Sequence, residues 1–260
     1  MGNYIWSVWQ CRFFWISLVK MDLRTRYRRS VLGIGWSLLH PIAMTIIICI
    51  MFSRILKVDI AEYAPSLLGG LACWNYILWC ALQGCKCFYE GESYIRQYPA
   101  PMAIYPLRTA LGGAVHFLLA LIVVIGMTWA MHGFGNLLAL LSLIPALVLL
   151  LVLGWSMAVL AGFANVYFAD TQHLAEVGFQ LLFYATPIIY TEKTLNEHRL
   201  SWLMDYNPIV VFLRLFREPI LHGHVPAAGT YTSAVVIVTV MAAWAMLTLV
   251  QLQRRLIFHL

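Results

Sequence analysis

Three groups of side chains in this sequence carry chemistry of their own. Cys85-Lys86-Cys87 has CxC spacing within a set of six cysteines, Cys11, Cys49, Cys73, Cys80, Cys85 and Cys87. Thiolates at that spacing could ligate zinc or cycle between dithiol and disulfide. No His or Cys pair nearby completes a zinc set, and the cysteines lie in apolar or aromatic-rich stretches, where free cysteine packs as a small hydrophobe. Ser37 and His40 fall near each other on one helix face, but no carboxylate completes a triad, so capping or interhelical hydrogen bonding suits them better. No Gly-Lys-Ser or Gly-Lys-Thr occurs, hence no phosphate-binding loop and no ATP site in this chain. HExxH and GxSxG are also missing. No catalytic residue, metal site or resident cofactor is expected.

The acidic residues add a further exclusion. Asp22, Asp59, Glu62, Glu90, Glu92, Asp170, Glu176, Glu192, Glu197, Asp205 and Glu218 all fall in loops or near the ends of apolar segments. Ion-coupled transporters place a carboxylate inside the membrane, where burial tunes its protonation. None is central here; His40 and His116 are the ionisable side chains well inside a span. Energy for work on a substrate would have to come from another subunit.

The elements that must position these residues are apolar helices. Of 260 residues, 62% are hydrophobic and 11% charged, with a mean hydropathy of +0.79. A soluble domain carries about 25% charge, and a disordered chain needs low hydrophobicity. The expected fold class is an all-α polytopic membrane protein. A crossing takes about 20 apolar residues, which predicts six transmembrane helices at 31–52, 64–83, 104–131, 137–163, 174–190 and 231–251. They belong to a single transmembrane domain over 1–260: a cytoplasmic interfacial helix in 1–30, spans one to five within 31–190, external helices in 191–230, the sixth span, and a tail at 252–260. No cleavable signal peptide is expected.

Placing both termini inside leaves Arg12, Lys20, Arg24, Arg26, Arg28, Arg29, Lys86, Arg96, Arg108, Arg254 and Arg255 internal. Arg54, Lys57, Lys193, Arg199, Arg214 and Arg217 are then external. That bias puts both termini in the cytoplasm, and the net charge of +6 reads as topology and attraction to anionic membrane lipids rather than to nucleic acid.

Three segments outside the spans stand out. Residues 4–28 run from Tyr4, Trp6, Trp9, Phe13, Phe14 and Trp15 to a basic cluster, which suits an amphipathic helix in the head-group plane. Residues 85–108 hold Glu90, Glu92, Arg96 and Arg108 around Tyr98-Pro99-Ala100-Pro101 and Tyr105-Pro106. Proline removes donors and fixes φ, so a rigid, broken element is expected, suited to docking a soluble partner. Within 191–230, the stretch from Trp202 to Leu221 is too polar to span and too apolar for a plain loop, and Asn207-Pro208 breaks it. A re-entrant pair of short helices fits it. His40-Pro41 should kink span one. Gly154, Ala158 and Gly162 form a smooth ridge, equally suited to a contact inside the chain or between subunits.

Taken together, "RTRYRRSVLGIGWSLLHPI" (Arg24 to Ile42), "NVYFADTQHL" (Asn165 to Leu174), "ATPIIY" (Ala185 to Tyr190) and "YNPIVVFLRLFREPIL" (Tyr206 to Leu221) resemble, in order and topology, the membrane subunit of bacterial ABC-2 type polysaccharide exporters. Two departures stand against the family pattern: Ala169 where Arg often precedes the aspartate, and Met102-Ala103 where relatives carry a charged pair. The resemblance implies a permease of the bacterial inner membrane, a homodimer bound to two copies of a nucleotide-binding ATPase subunit that holds ATP and Mg. The interface helix and 85–108 would form the ATPase groove, with Glu90, Glu92, Arg96, Tyr98, Pro99, Pro101 and Asp170 as docking candidates. The external helices would gate the exit. The implied cargo is lipid-linked polysaccharide of O-antigen type.

Residue chemistry is compatible with that cargo. Trp36, Trp74, Tyr76, Trp79, Phe183, Tyr184 and Tyr190 could stack on sugar rings, against their plainer use as an interfacial aromatic belt. Arg24, Arg26, Arg28 and Arg29 could hold the lipid pyrophosphate, against a purely topological role. Capsular polysaccharide or teichoic acid export, an ABC-2 drug or small-lipid exporter, and a membrane enzyme acting on lipid through Cys85, Cys87 or His116 remain the alternatives.

Overall fold

The computed structural model describes residues 2–28, 30, 32–56, 59–97, 100–133, 136–190 and 202–256, and every regular element among them is helical. In chain order these are α1 (Gly2–Gln10), α2 (Arg12–Arg26), a 3-10 turn (Gly33–Gly35), α3 (Trp36–Leu56), α4 (Ile60–Gln97), α5 (Ile104–His132), α6 (Leu137–Leu141) and α7 (Leu143–Tyr167). Then come α8 (Thr171–Ala185), α9 (Trp202–Asp205), α10 (Pro208–Arg217), a π-helical turn (Glu218–His222) and α11 (Ala228–Leu256). The sequence-predicted sites Arg29, Tyr98 and Pro99, and the first part of the 191–230 segment, lie outside the described residues.

Five stretches are long and apolar enough to cross a membrane: Gly33–Phe52, Ile60–Gln97, Ile104–His132, Leu137–Tyr167 and Ala228–Gln253. The chain is a multi-pass membrane protein. The segment predicted as a fifth span at 174–190 forms a shorter helix. α8 has 15 residues, about 22 Å at 1.5 Å per residue, less than the hydrocarbon thickness. Its end is set by Pro187, which disfavours helical backbone at the preceding residue, and Thr186 is extended with ψ 134°.

α4 is the axis of the bundle, packed against α3, α5, α7, α8 and α10. Its 38 residues reach about 57 Å. The expectation of a broken element from residue 85 onward is corrected here: α4 runs unbroken to Gln97, and α5 starts at Ile104. No proline stands between 85 and 97, and Cys87, Phe88, Gly91 and Ile95 recur at three- and four-residue spacing on a buried face. That face meets Val159 and Phe163 of α7 and Leu249 and Leu256 of α11. Among the described residues, 100–103 stand outside any helix, and Pro106 falls harmlessly in the first turn of α5.

The small-residue ridge of α7 is a contact inside the chain. A Cβ on Gly84 of α4 would lie 2.6 Å from the Ala158 Cα, so the two backbones touch at that point. A Cβ on Gly154 would meet the Tyr76 hydroxyl at 2.4 Å, and one on Gly162 would meet Cys87 Sγ at 2.9 Å. The Asn165 amide reinforces the seam by donating to the Cys85 carbonyl at 2.9 Å. Of the two uses the ridge allows, these close approaches select the internal one.

Both ends of the chain sit at one end of the bundle, where Tyr4 and Val8 of α1 pack on the cluster containing Leu249 and Leu256. Met102-Ala103 is buried there rather than presented outward. The Ala103 carbonyl accepts from the Trp155 indole at 3.3 Å, and its N–H donates to the Tyr4 hydroxyl at 3.3 Å. Burial pushes the pKa of that hydroxyl up. A charged pair would not fit this space, which is why the departure from the family pattern is apolar.

Candidate functional site

Two hollows flank the seam where α3 crosses α4. The first, about 400 Å³, lies between α3, α4 and α5, with the end of α2 closing one side. Arg26, Tyr27, Trp36, Ser37, His40, Asn75, Trp79, Gln83, His116 and Phe117 contribute to its walls. The second, about 330 Å³, lies between α3, α4 and α8 and includes Trp74, Glu176, Phe179, Gln180, Phe183 and Tyr184. His40, Pro41, Asn75, Leu78 and Leu82 belong to both, so the hollows form one groove passing beneath α3. Pro41 does not interrupt α3, and the Thr45 hydroxyl bonds its carbonyl at 2.7 Å.

Trp79 is the best-fixed ring in this groove. Its indole N–H donates to the Thr109 carbonyl at 3.1 Å. The ring lies across Gly113, where a Cβ would come within 2.5 Å of the indole. On the other side the Arg26 guanidinium sits 4.3 Å from the ring centroid, a cation–π contact. The His116 ring lies 5.9 Å from Trp79, and its Nδ1 is 3.4 Å from the Tyr27 hydroxyl. The mouth of the first hollow therefore brings together one fixed positive charge, an anchored indole and a phenol–imidazole pair.

The other sequence-predicted residues divide. Trp36, Trp74, Trp79, Phe183 and Tyr184 line the groove, and Trp74 packs edge-on against Phe179 and Phe183. Tyr76 touches the first hollow, but at 3% exposure it is committed to the α4–α7 seam. Tyr190 lies outside the groove, packed on Met204 and Val210, with its hydroxyl donating to the Tyr184 carbonyl at 2.6 Å. Arg26 reaches the groove, while Arg24 and Arg28 are exposed and line neither hollow. Cys85 and Cys87 are buried. Their burial disfavours the enzyme reading through those thiols. Among the described residues, no group of His, Cys, Asp or Glu is arranged to hold a metal.

The docking candidates sit at the end that carries both termini. α4 and α7 run parallel, so Glu90, Glu92 and Arg96 near the end of α4 share that end with Asp170 after α7. Glu90, Arg96 and Asp170 are exposed, Pro101 is half-buried, and Arg96 pairs with Glu92 at 2.8 Å. Sequence reasoning missed the element that ties this end together: Arg108 of α5, 11% exposed, makes a two-pronged pair with Asp22 of α2. It pins α2 to the start of α5.

At the opposite end, two of the sequence blocks, 185–190 and 206–221, close into one knot with the start of α4. The Arg217 guanidinium donates to the Pro187 carbonyl at 2.8 Å and the Ile188 carbonyl at 3.3 Å. Tyr63 donates to the Ile189 carbonyl. Asn207 caps α10 by accepting from the Ile209 N–H at 3.0 Å, and its amide donates to Thr186 Oγ1 at 2.8 Å. α10 then enters the bundle, with Phe216 on Phe117 at 5.1 Å and Arg217 against Gly70. The order of the blocks was visible in the sequence; their closure on each other was not.

A profile of ABC-2 type transporters matches residues 14–221, most of the chain. The chain belongs to the ABC-2 type transporter family. Among curated relatives of this ABC-2 chain, an O-antigen export system permease protein RfbA from Klebsiella pneumoniae is 26% identical over 209 residues, 80% of each chain. A second from the same organism is 25% identical over the same length and coverage. One bearing the same name from Myxococcus xanthus is 24% identical over 249 residues, 94% of each chain. Within the ABC-2 match fall α2 from Phe14 onward, the groove and the Arg217 knot. α11 lies beyond it.

Proposed function

We propose that this chain is the channel-forming membrane subunit of an ATP-driven exporter carrying lipid-linked polysaccharide of O-antigen type out of the bacterial cytoplasm. It works as a homodimer with two ATPase subunits, which hold ATP and Mg, and crosses the inner membrane six times with α8 as the shortest crossing. The observation that carries the reading is the groove: it opens beside a basic interfacial helix and continues past an anchored indole into an aromatic-lined interior. A lipid-linked glycan presents the same order of chemistries, a phosphate next to the lipid and then sugar rings. The named relatives support the class of cargo.

In this mechanism the exposed end around Glu90, Arg96 and Asp170 receives the ATPase, which is in the cytoplasm together with both termini. Closure of the ATPase pair pushes on α4 and on α2, which Asp22 and Arg108 couple to α5. α4 transmits the push because it is one rigid rod from that end to the Arg217 knot. Movement of the knot and of α10 opens the outward exit.

Deletion of the gene tests this directly. Cells lacking it should accumulate completed lipid-linked glycan on the cytoplasmic side, and a plasmid copy should restore surface glycan. Unchanged surface glycan, or loss of drug efflux instead, would overturn the reading. Purified chain alone should hydrolyse no ATP, and co-purification with its nucleotide-binding partner should supply that activity.

A further inference from the structure

The groove holds polar side chains that the Arg26 mouth does not explain. Asn75 stands at the junction of both hollows, Gln83 lines the first and Gln180 lines the second. Among the described residues, no hydrogen bond is made by any of these three amides. Asn75 shares the first hollow with Gly113 and Phe117, which lie about 13 to 20 Å along α5 at 1.5 Å per residue, inside an apolar helix long enough to cross a membrane. An amide among apolar helix faces is unfavourable unless something there bonds it. An acyl chain cannot relieve that cost, so the occupant must offer hydroxyls, water or both.

Charge narrows the occupant further. The first hollow carries Arg26 and no carboxylate; the second carries Glu176 and no Lys or Arg. Glu176 accepts from the Gln172 amide at 2.8 Å and faces His173 at 3.6 Å, which fixes it on the groove wall. An anionic group is thus favoured beside Arg26 and disfavoured along the α8 wall. Aromatic rings interleave the amides: Trp79 stands four residues after Asn75, and Phe179 and Phe183 flank Gln180. Amides that both donate and accept, set between rings with apolar faces, match the alternating hydroxyl and C–H surfaces of a sugar.

Resting on the proposed export of a glycan, we infer that Asn75, Gln83 and Gln180 form a hydrogen-bonding track for an uncharged saccharide, and that Glu176 on the α8 wall disfavours acidic sugars along it. The amides set specificity, while the rings supply adhesion that tolerates sliding. The track recognises hydroxyls, so cargo chemistry is read inside the membrane and not only at the phosphate.

Saturation-transfer NMR on the full chain in nanodiscs tests this, with the oligosaccharide released by mild acid from the host's own lipid-linked pool as probe and hexagalacturonate as the acidic comparison. The released glycan should receive saturation and hexagalacturonate should not. Asn75→Leu combined with Gln180→Leu, close in volume, should weaken binding at least about fivefold, as expected for losing two neutral hydrogen bonds. Asn75→Gln and Gln180→Asn, which keep the amides, should retain binding and serve as the folding control. Glu176→Gln should admit hexagalacturonate. No transfer to the released glycan, equal binding by the leucine pair, or equal binding of hexagalacturonate to the unaltered chain would each overturn the track. A wild-type copy that restores export while the track fails leaves the export reading standing; failure of the wild-type copy to restore export removes that reading instead.

Discussion

Replacing Gly84 by alanine adds one methyl group where the backbones of α4 and α7 touch. The new Cβ would lie 2.6 Å from Ala158 Cα and 3.1 Å from its Cβ, against an ordinary contact of at least 3.4 Å. The helices must part by at least about 0.8 Å, because the obstacle is backbone rather than a side chain that can swing away. Overpacking of this kind costs about 1–3 kcal/mol, and alanine recovers about 0.5–1 kcal/mol over glycine inside a helix. The net loss is about 1 kcal/mol, a drop of about 2–4 °C in Tm for a chain of this size. Gly112→Ala is the matched control: no atom lies within 4 Å of its Cβ, so only the helix gain remains and Tm should rise. The cysteines report unfolding without a label, since Cys49, Cys73, Cys80, Cys85 and Cys87 are buried and free. A thiol-reactive dye in a detergent melt should show Gly84→Ala below wild type and Gly112→Ala above it. If both substitutions raise Tm alike, the α4–α7 contact is wrong. If Gly154→Leu dissociates a dimer without lowering Tm, the ridge belongs between subunits.

Other outcomes follow from single contacts. Arg108→Ala should free α2 from α5, costing about 1–3 kcal/mol because Asp22 is partly exposed and its pairing is partly screened; trypsin should then cut faster after Lys20 and Arg24, and a reciprocal Asp22→Arg/Arg108→Asp exchange should slow it again. Gly113→Val should push Trp79 off its site and break the bond to the Thr109 carbonyl, lowering export in a complementation assay by more than it lowers the amount of protein in the membrane. Asn207→Asp should keep the α10 cap but lose the donor to Thr186, whereas Asn207→Ala loses both; dye-monitored Tm should fall in the order wild type, Asp, Ala, with the cap worth about 1 kcal/mol.

What the sequence made legible follows from period and charge. α3, α5, α7 and α11 were visible as apolar runs because hydrocarbon demands about 20 such residues whatever they pack against. The aromatic residues of the groove were picked out by type, but type alone could not separate Trp79, which faces the groove, from Tyr76, which faces α7. Three residues along a helix turn the side chain by nearly a full revolution, and only the neighbouring helices say which direction is inward. The stretch after residue 85 was misread because prolines at 99, 101 and 106 outweighed the buried three-and-four spacing that precedes them. Asn75, Gln83 and Gln180 left one signal, amides inside or beside apolar spans, and it went unused because each alone is unremarkable in a helix.

By itself the sequence determined that this is a helical membrane protein, since that conclusion depends on which residue types occur and where charges fall. Tertiary structure decided everything that depends on distance. It turned the Gly154–Ala158–Gly162 ridge inward onto α4, shortened the fifth apolar segment at Pro187, and closed the block of Pro187 onto the block of Asn207 and Arg217. It also put Arg26 on Trp79, residues separated along the chain by the whole of α3. Local composition sets what each helix prefers, but a groove exists only between helices, and its chemistry is set by which faces they share.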